Sequence, residues 1–116
     1  MADVKDLRRL SLALPGAHEV IHKGDAWFNV GKKTFALRSK DRFIFKLDRE
    51  HQRFLFDVRP DAFQPCKVGT GGVWSYVVLE DLDDVELADL ALEAWSMIVP
   101  KNVSRGYFSS RTPSRA

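Results

Sequence analysis

The chain has 116 residues, of which 45% are apolar and 29% are charged, and its formal net charge is only +2. These proportions are typical of one folded globular domain and exclude an intrinsically disordered chain. No apolar run reaches the roughly 18–20 residues of a membrane span, and the single cysteine, Cys66, excludes an internal disulfide.

The first predicted element is a helix that is capped by Asp3 and runs to about Leu14. Apolar residues recur at steps of three and four between Val4 and Leu14, so they form one stripe that can pack against a core. Pro15-Gly16 ends the helix. The residues that follow, up to Asp25, are interpreted as a connecting loop.

Three strands are predicted next, at Ala26–Val30, Thr34–Ser39 and Phe43–Asp48. The first two flank a hairpin loop at Gly31-Lys32-Lys33, where the glycine allows a positive φ. Strict alternation predicts an apolar face formed by Phe28, Val30, Phe35, Leu37, Phe43, Phe45 and Leu47. It predicts a mixed opposite face formed by Trp27, Asn29, Thr34, Arg38, Ile44 and Lys46.

The second half of the chain is predicted to contain two helices and two strands. These are a short helix at Arg49–Val58, a short strand at Phe63–Lys67, a glycine turn at 69–72, a strand at Val73–Leu79 and a helix from Asp83 to about Val99. The order α-β-β-β-α-β-β-α predicts a two-layer α+β domain, an antiparallel sheet with helices on one face. We expect residues 1–103 to form this single domain and residues 104–116 to form a basic, flexible tail.

Residues His18 to His22 read H-E-x-x-H, a string that in zinc proteases provides two metal-binding histidines and a glutamate that activates water. That chemistry requires the two histidines to lie one turn apart on a rigid helix. Pro15-Gly16 and Lys23-Gly24 flank the string, and helices shorter than ~12 residues are marginal without support. We therefore predict a loop with two exposed histidines and no metal site.

Other candidate reactive groups lack the partners that their chemistry needs. The glycines at 69–72 resemble a phosphate-binding loop, but a strand follows them instead of a helix. The acids between Glu80 and Glu93 are spread along a helix and its cap, which favours a solvated face over a cation site. Cys66 is interpreted as a structural thiol, and Ser75 lacks the sharp turn of a hydrolase nucleophile. We predict neither a catalytic centre nor a cofactor.

The charges are unevenly distributed along the chain. Residues 31–59 contain nine basic and four acidic residues, whereas residues 80–93 contain seven acids and no base. The residues from Pro100 onward contain four bases and no acid. Such a bipolar molecule can bind a polyanion on one side, and solvated surface charge is the alternative interpretation.

Aromatic residues accompany the basic segment. Trp27 is predicted to share the mixed sheet face with Arg38 and Lys46, and a flat ring there can stack on an unpaired base. Trp74 lies in the last strand, where either core packing or base stacking is consistent with the pattern. Trp95 lies in the apolar stripe of the last helix, which favours core packing.

Four stretches occur in an order that resembles the MmcQ/YjbR family of small bacterial proteins. They are LALPGAHEV, WFNVGKKTFAL, FKLDRE and GVWSYVVLEDLDDVELADLALEAWSMIVPK, and the resemblance covers roughly residues 7–103. It implies a fold of the secretion-chaperone-like type with the order α-β(3)-α-β(2)-α. It also implies a "double-wing" description, in which projecting β elements grip DNA.

Individual positions match the pattern of that family. They are Gly31 and Lys33 in the first hairpin, Lys46 in the third strand, Trp74 in the last strand and Lys101 after the final helix. Glu19 matches an acid that follows the family's Leu-Pro-Gly block, which implies that the neighbouring histidines are incidental. Two positions depart from the pattern: Lys32 replaces a common second glycine, and the glycines at 69–72 stand where many relatives are more basic.

We expect a cytoplasmic, non-enzymatic nucleic-acid-binding module that is a monomer or weak homodimer, with DNA as its partner and no membrane contact. The residues expected at phosphates are Lys32, Lys33, Arg38, Lys46, Lys67 and Lys101, and those expected at bases are Trp27 or Trp74. The alternative is a protein-interaction or chaperone-like module that uses the exposed sheet. Small-molecule binding near Trp74 has no residue pattern in its favour.

Overall fold

The structure, a computed structural model, describes residues 2–40, 42–66 and 73–111, with side chains up to Tyr107. The predicted glycine turn at 69–72 lies outside these ranges. The helices are α1 (Val4–Leu12), α2 (Arg49–Val58), α3 (Asp84–Ser96) and α4 (Lys101–Arg111), and a 3-10 turn spans Leu79–Asp81. The strands are β1 (Ala17–His22), β2 (Asp25–Val30), β3 (Lys33–Ser39), β4 (Arg42–Lys46), β5 (Phe63–Pro65) and β6 (Trp74–Val77).

The six strands form one antiparallel sheet in the order β1-β2-β3-β4-β6-β5. The apolar residues of α1, α2 and α3 join those of one sheet face in a single core. The predicted α+β class, an antiparallel sheet with helices on one face, is therefore confirmed. None of the helices within the described ranges has both the length and the apolar composition needed to cross a membrane.

The stretch 17–22, which the sequence analysis predicted to be a loop, forms strand β1, and that prediction was wrong. β1 pairs with β2 across a two-residue turn in which Lys23 and Gly24 have φ values of 51° and 86°. Two positive φ values are typical of the type I′ turn, whose twist matches that of the flanking strands. Lys23-Gly24 is therefore the turn of a first hairpin, and the sheet has one strand more than predicted.

A β-bulge interrupts the pairing of β2 with β3. Phe28 pairs with Ala36, whereas the next residue, Asn29, pairs with Thr34. Phe35 is therefore an extra residue on β3 that has no partner on β2. Phe35 and Ala36 are both buried in the core although they are adjacent in sequence.

The bulge changes the sheet face to which the side chains of the rest of β3 point. Leu37 packs with Ile44 on the side away from the helices, and the next residue, Arg38, pairs with Phe43. Alternation then directs Arg38 to the helix side of the sheet, at the end of the strand. The predictions that Leu37 belongs to the core face and Arg38 to the mixed face were both wrong.

Helices α1, α2 and α3 each begin at an aspartate, and a buried tryptophan of α3 bonds to the segment after α1. Asp3, Asp48 and Asp83 each accept hydrogen bonds from backbone N–H groups of the first turn, so they cap α1, α2 and α3. Trp95 of α3 is completely buried, and its Nε1–H donates to the carbonyl of Pro15 at 3.0 Å. The core position that the sequence favoured for Trp95 is confirmed.

An aromatic pair joins helix α4 to α3. The ring of Tyr107 meets that of Trp95 edge-on, with 5.2 Å between the centroids. A basic, flexible tail was predicted from residue 104, and no helix was predicted in this part of the chain. The division of the chain at residue 103 stays a prediction.

Substitution of two phenylalanines by alanine should lower the stability of the protein by different amounts. Phe45 is completely buried, whereas Phe54 on α2 is 60% exposed. We expect Phe45→Ala to lower the free energy of unfolding by about 3–5 kcal/mol because it leaves a cavity, and Phe54→Ala to lower it by less than about 1 kcal/mol. Urea denaturation followed by tryptophan fluorescence measures both values. Equal losses in the two variants would contradict this core.

Candidate functional site

The sheet face that points away from the helices, here called the open face, carries a strip of apolar side chains. Trp27, Leu37, Ile44 and Tyr76 lie in one row, because each pairs with the next across neighbouring strands. Leu37, Ile44 and Cys66 are buried in this strip, and the half-buried rings of Trp27, Trp74 and Tyr76 pack against them. The open face therefore presents three aromatic rings to solvent.

Basic side chains lie against these rings. The guanidinium carbon of Arg42 is 3.6 Å from the centroid of the Tyr76 ring, and Nζ of Lys46 is 5.6 Å from that of Trp74. The His22 ring meets Trp27 in a tilted contact with 4.9 Å between centroids. Cation–π contacts at exposed sites contribute about 0.5–1 kcal/mol each. They therefore position the cations only weakly, and the cations stay available to bind an anion.

The environment of Tyr76 combines a thiol and a cation. The hydrogen bond with Cys66 raises the pKa of the Tyr76 hydroxyl, and the electrostatic interaction between the sulfur and the phenolate raises it further. Arg42 acts in the opposite direction, because its positive charge favours the phenolate. Tyr76 therefore carries a neutral hydroxyl, able to donate a hydrogen bond, at physiological pH.

Part of the predicted nucleic-acid set lies together at the end of the sheet that carries the Gly31-Lys32 turn, here called the hairpin end. Lys46 pairs with Trp74 at the end of β4, and the antiparallel register brings the start of β3 beside it. Lys32 is exposed at the turn, and Lys33 is the exposed first residue of β3, where its pairing with the core-facing Val30 directs it toward the helix side. Gly31 has the predicted positive φ, 61°, and it occupies the first position of a two-residue loop, as in a type II′ turn.

The other predicted residues are not part of this group. Arg38 lies at the opposite end of the sheet and is directed to the helix side. Lys101 is the first residue of α4, in the helical layer. Lys67 lies outside the described residues. The cations expected to act together are thus divided between two ends and two layers of the molecule.

The carboxylates are concentrated on the helix side, where several form ion pairs. Glu19 accepts a hydrogen bond from Nε of Arg8 at 2.8 Å, Glu86 pairs with Arg59, and Oε1 of Glu93 lies 2.5 Å from Nδ1 of His51. Among the described strand residues of the open face, Asp25 is the one acid, and it accepts the N–H of Lys40 at 2.9 Å. The hairpin end of the open face is therefore basic.

The H-E-x-x-H string has the geometry of a strand. His18 and His22 are exposed on the open face with Cα atoms about 13 Å apart at four residues of strand rise, and Glu19 faces the other way toward Arg8. Two histidines at that separation do not share a metal ion. Within residues 2–40, 42–66 and 73–111, no three His, Cys, Asp or Glu side chains come close enough to hold one.

A family model described as YjbR matches residues 12–97. The chain belongs to the YjbR family. Its fold is similar to that of protein DR2400 of Deinococcus radiodurans, a DUF419 domain, with a TM-score of 0.76, 22% identity, and coverage of 91% of this chain and 88% of that chain. No curated protein matches the chain. The resemblance to the MmcQ/YjbR family is thus confirmed, and the likeness to the solved structure concerns the fold alone.

In this YjbR domain, sequence reasoning missed two residues that line the open face. Arg42 precedes the predicted strand Phe43–Asp48, Tyr76 lies inside the predicted strand Val73–Leu79, and neither was among the predicted site residues. The register supplies what the pattern lacked: Tyr76 pairs with Ile44, two residues beyond Arg42 on the same face of β4. The alternation of Arg42, Ile44 and Lys46 was a signal that these cations flank one apolar position.

The contact between Tyr76 and Cys66 in this YjbR domain predicts a measurable titration. In a Tyr107→Phe background, Tyr76 is the remaining tyrosine. We expect the pKa of its phenol to lie above the ordinary value of about 10. Cys66→Ala should lower that pKa, because the dominant cause of the shift is removed. Ultraviolet absorbance of the tyrosinate against pH measures both. A titration that does not change in Cys66→Ala would contradict the contact.

Proposed function

We propose that this protein is a cytoplasmic, non-enzymatic DNA-binding protein of the YjbR family that holds a single strand across its open face. The observation that carries the proposal is the arrangement at the hairpin end. There the half-buried ring of Trp74 lies under Lys46, beside the exposed Lys32 and Lys33. Lysines neutralise phosphates, and indole rings stack on unpaired bases.

Electrostatics favours an approach from one side only. The seven acids between residues 80 and 93 belong to the 3-10 turn, α3 and its cap, which lie behind the sheet as seen from the open face. A DNA strand is repelled by that side and attracted by the lysines of the hairpin end. The acidic segment that the sequence shows therefore lies in the helical layer, away from the lysines of the hairpin end.

The aromatic strip favours an unpaired strand over a duplex. Trp27 and Trp74 lie in the face of a sheet, and paired bases in a duplex do not expose their flat surfaces to such a face. A base that stacks on Trp74 displaces Lys46 from the ring, and the ammonium group is then close to the adjacent phosphate. Indoles and lysines hold bases and phosphates without a nucleophile or a base catalyst, which is the ground for proposing a binding role.

The proposal predicts weak binding that depends strongly on salt. With contacts from Lys32, Lys33 and Lys46, the logarithm of Kd should rise with the logarithm of salt concentration with a slope of about 2–3. Lys32→Glu/Lys33→Glu should lower that slope by about 2 and weaken binding at least about tenfold. Fluorescence anisotropy with a labelled single strand and the matching duplex measures both quantities.

A matched control separates this surface from net charge. Lys5→Glu/Arg53→Glu changes the net charge by the same amount, and both residues are exposed in the helical layer. We expect this control to keep the slope and most of the affinity. Equal weakening in the two variants, or an affinity that does not change with salt, would show that the open face is not the binding surface.

Protein interaction through the sheet is a second candidate, and it rests on β1. This strand lies at the edge of the sheet, contains neither Pro nor Lys, and exposes Ile21 by 64%. Natural edge strands usually carry proline or lysine, which prevents pairing with another chain. We propose that β1 can pair with β1 of a second copy, which would extend the open face across a dimer.

Edge pairing predicts a dimer that one charge disrupts. Ile21→Lys should shift the protein to monomer at concentrations where the wild type dimerises, because a lysine on the edge opposes strand addition. Val85→Lys is the matched control, since Val85 is 70% exposed on α3. Light scattering over a range of concentrations distinguishes the two variants. A wild type that stays monomeric, or the same shift in both variants, would contradict pairing through β1.

A further inference from the structure

A cavity of about 520 Å³ opens at the end of the sheet opposite the hairpin end. It lies between the N-terminus of α1, the ends of β3 and β4 that carry Arg38 and Arg42, and the segment that leads from β6 into the 3-10 turn. Its volume falls in the range of about 300–1,000 Å³ that is common for small-molecule sites. None of the side chains proposed above for DNA lines it.

The walls of the cavity belong to well-packed parts of the fold. Val77 and Leu79 are buried in the core, and Phe43 packs against it. The N-terminal wall is tied down by a hydrogen bond from the N–H of Ala2 to the carbonyl of Leu82 at 3.0 Å. Since these walls are held by core packing and backbone bonds, the cavity is formed before any ligand binds.

Two arginines line the cavity, and other groups orient both. The guanidinium carbon of Arg42 lies over the ring of Tyr76, 3.6 Å from its centroid. Nε of Arg38 donates to the carbonyl of Lys40 at 2.7 Å. This bond uses one of five N–H donors, and the fork of an arginine matches the geometry of carboxylate and phosphate oxygens.

Two carboxylates also line the cavity, at the start of α1 and on the 3-10 turn, and this wall restricts what the cavity can hold. Oδ1 of Asp3 accepts the N–H groups of Lys5 and Asp6, so its charge is directed to the start of α1. Glu80 is exposed on the 3-10 turn. A polyanion would be repelled from this wall, whereas a ligand with a single anionic end can place it at the arginines and its apolar body between Phe43 and Leu79.

We propose that this cavity binds a small organic anion with a flat apolar body. The anionic group, a carboxylate or a phosphate monoester, is held by Arg38 and Arg42, and the body lies against Phe43 and Leu79. This site uses different side chains from those of the proposed DNA surface and stands independently of it.

Titration of the isotope-labelled full chain tests the proposal, with amide shifts followed at Phe43, Val77 and Leu79. The probes are benzoate and phenyl phosphate, with benzyl alcohol as the neutral counterpart of the same shape. We expect saturable shifts with at least one anion and much weaker shifts with the alcohol. Saturation by only one anion supports the site and identifies the group that it prefers. No saturation with either anion, or equal binding of the alcohol, would overturn the proposal.

Substitution of the arginines separates the site from non-specific attraction. Arg38→Gln and Arg42→Gln should each weaken binding of the preferred anion about tenfold. Arg38→Gln is the decisive variant, because it leaves the contact of Arg42 with Tyr76 intact. Arg53→Gln, on α2 and outside the cavity, is the matched control and should bind as the wild type does. Unchanged affinity in both arginine variants would also overturn the proposal.

Discussion

The constraint on which the rest of the structure depends is that α1, α2 and α3 pack on the same face of the six-stranded sheet. Their apolar residues meet Phe28, Phe35, Phe45 and Phe63 in one core, so those side chains are removed from solvent. The other face has no helix to cover it within the described residues. It buries Leu37, Ile44 and Cys66 only by packing the rings of its own strands against them. Exposed aromatic rings on the open face are therefore a consequence of the layer order.

The same constraint separates the charges. Helix N-termini favour negative groups, and aspartates cap α1, α2 and α3. These acids therefore lie on the helix side of the sheet. Those basic strand residues whose side chains point away from the core lie on the open face or at the strand ends. Register then divides them: Lys32, Lys33 and Lys46 lie at the hairpin end, whereas Arg38 and Arg42 lie at the opposite end and line the cavity. One basic segment of sequence thus supplies cations to both ends of the sheet.

Much of the fold could be predicted from periodicity, and the failures have physical causes. The helices α1, α2 and α3 were predicted because their caps and apolar stripes are local signals. β1 was missed because AHEVIH shows no apolar alternation, and its Lys23-Gly24 turn was interpreted as a breaker. The bulge at Phe35 was missed because alternation assumes an unbroken ladder, and the run Phe35-Ala36-Leu37 was the one sign against it. The family resemblance predicted the α+β class correctly, but it implied three strands before α2 where the structure has four. It also could not show which cations share a surface, since that depends on register.

The most direct test of the central proposal uses the three tryptophans as internal probes. Trp27 and Trp74 lie on the open face, whereas Trp95 is buried on the helix side and bonded to the carbonyl of Pro15. Magnetic resonance resolves one indole N–H signal for each ring, and a short single strand of DNA can be titrated at low salt. The account predicts that the signals of Trp27 and Trp74 shift in a saturable way while that of Trp95 does not. Shifts confined to Trp95 and the helices, or no shift in any indole, would contradict binding at the open face.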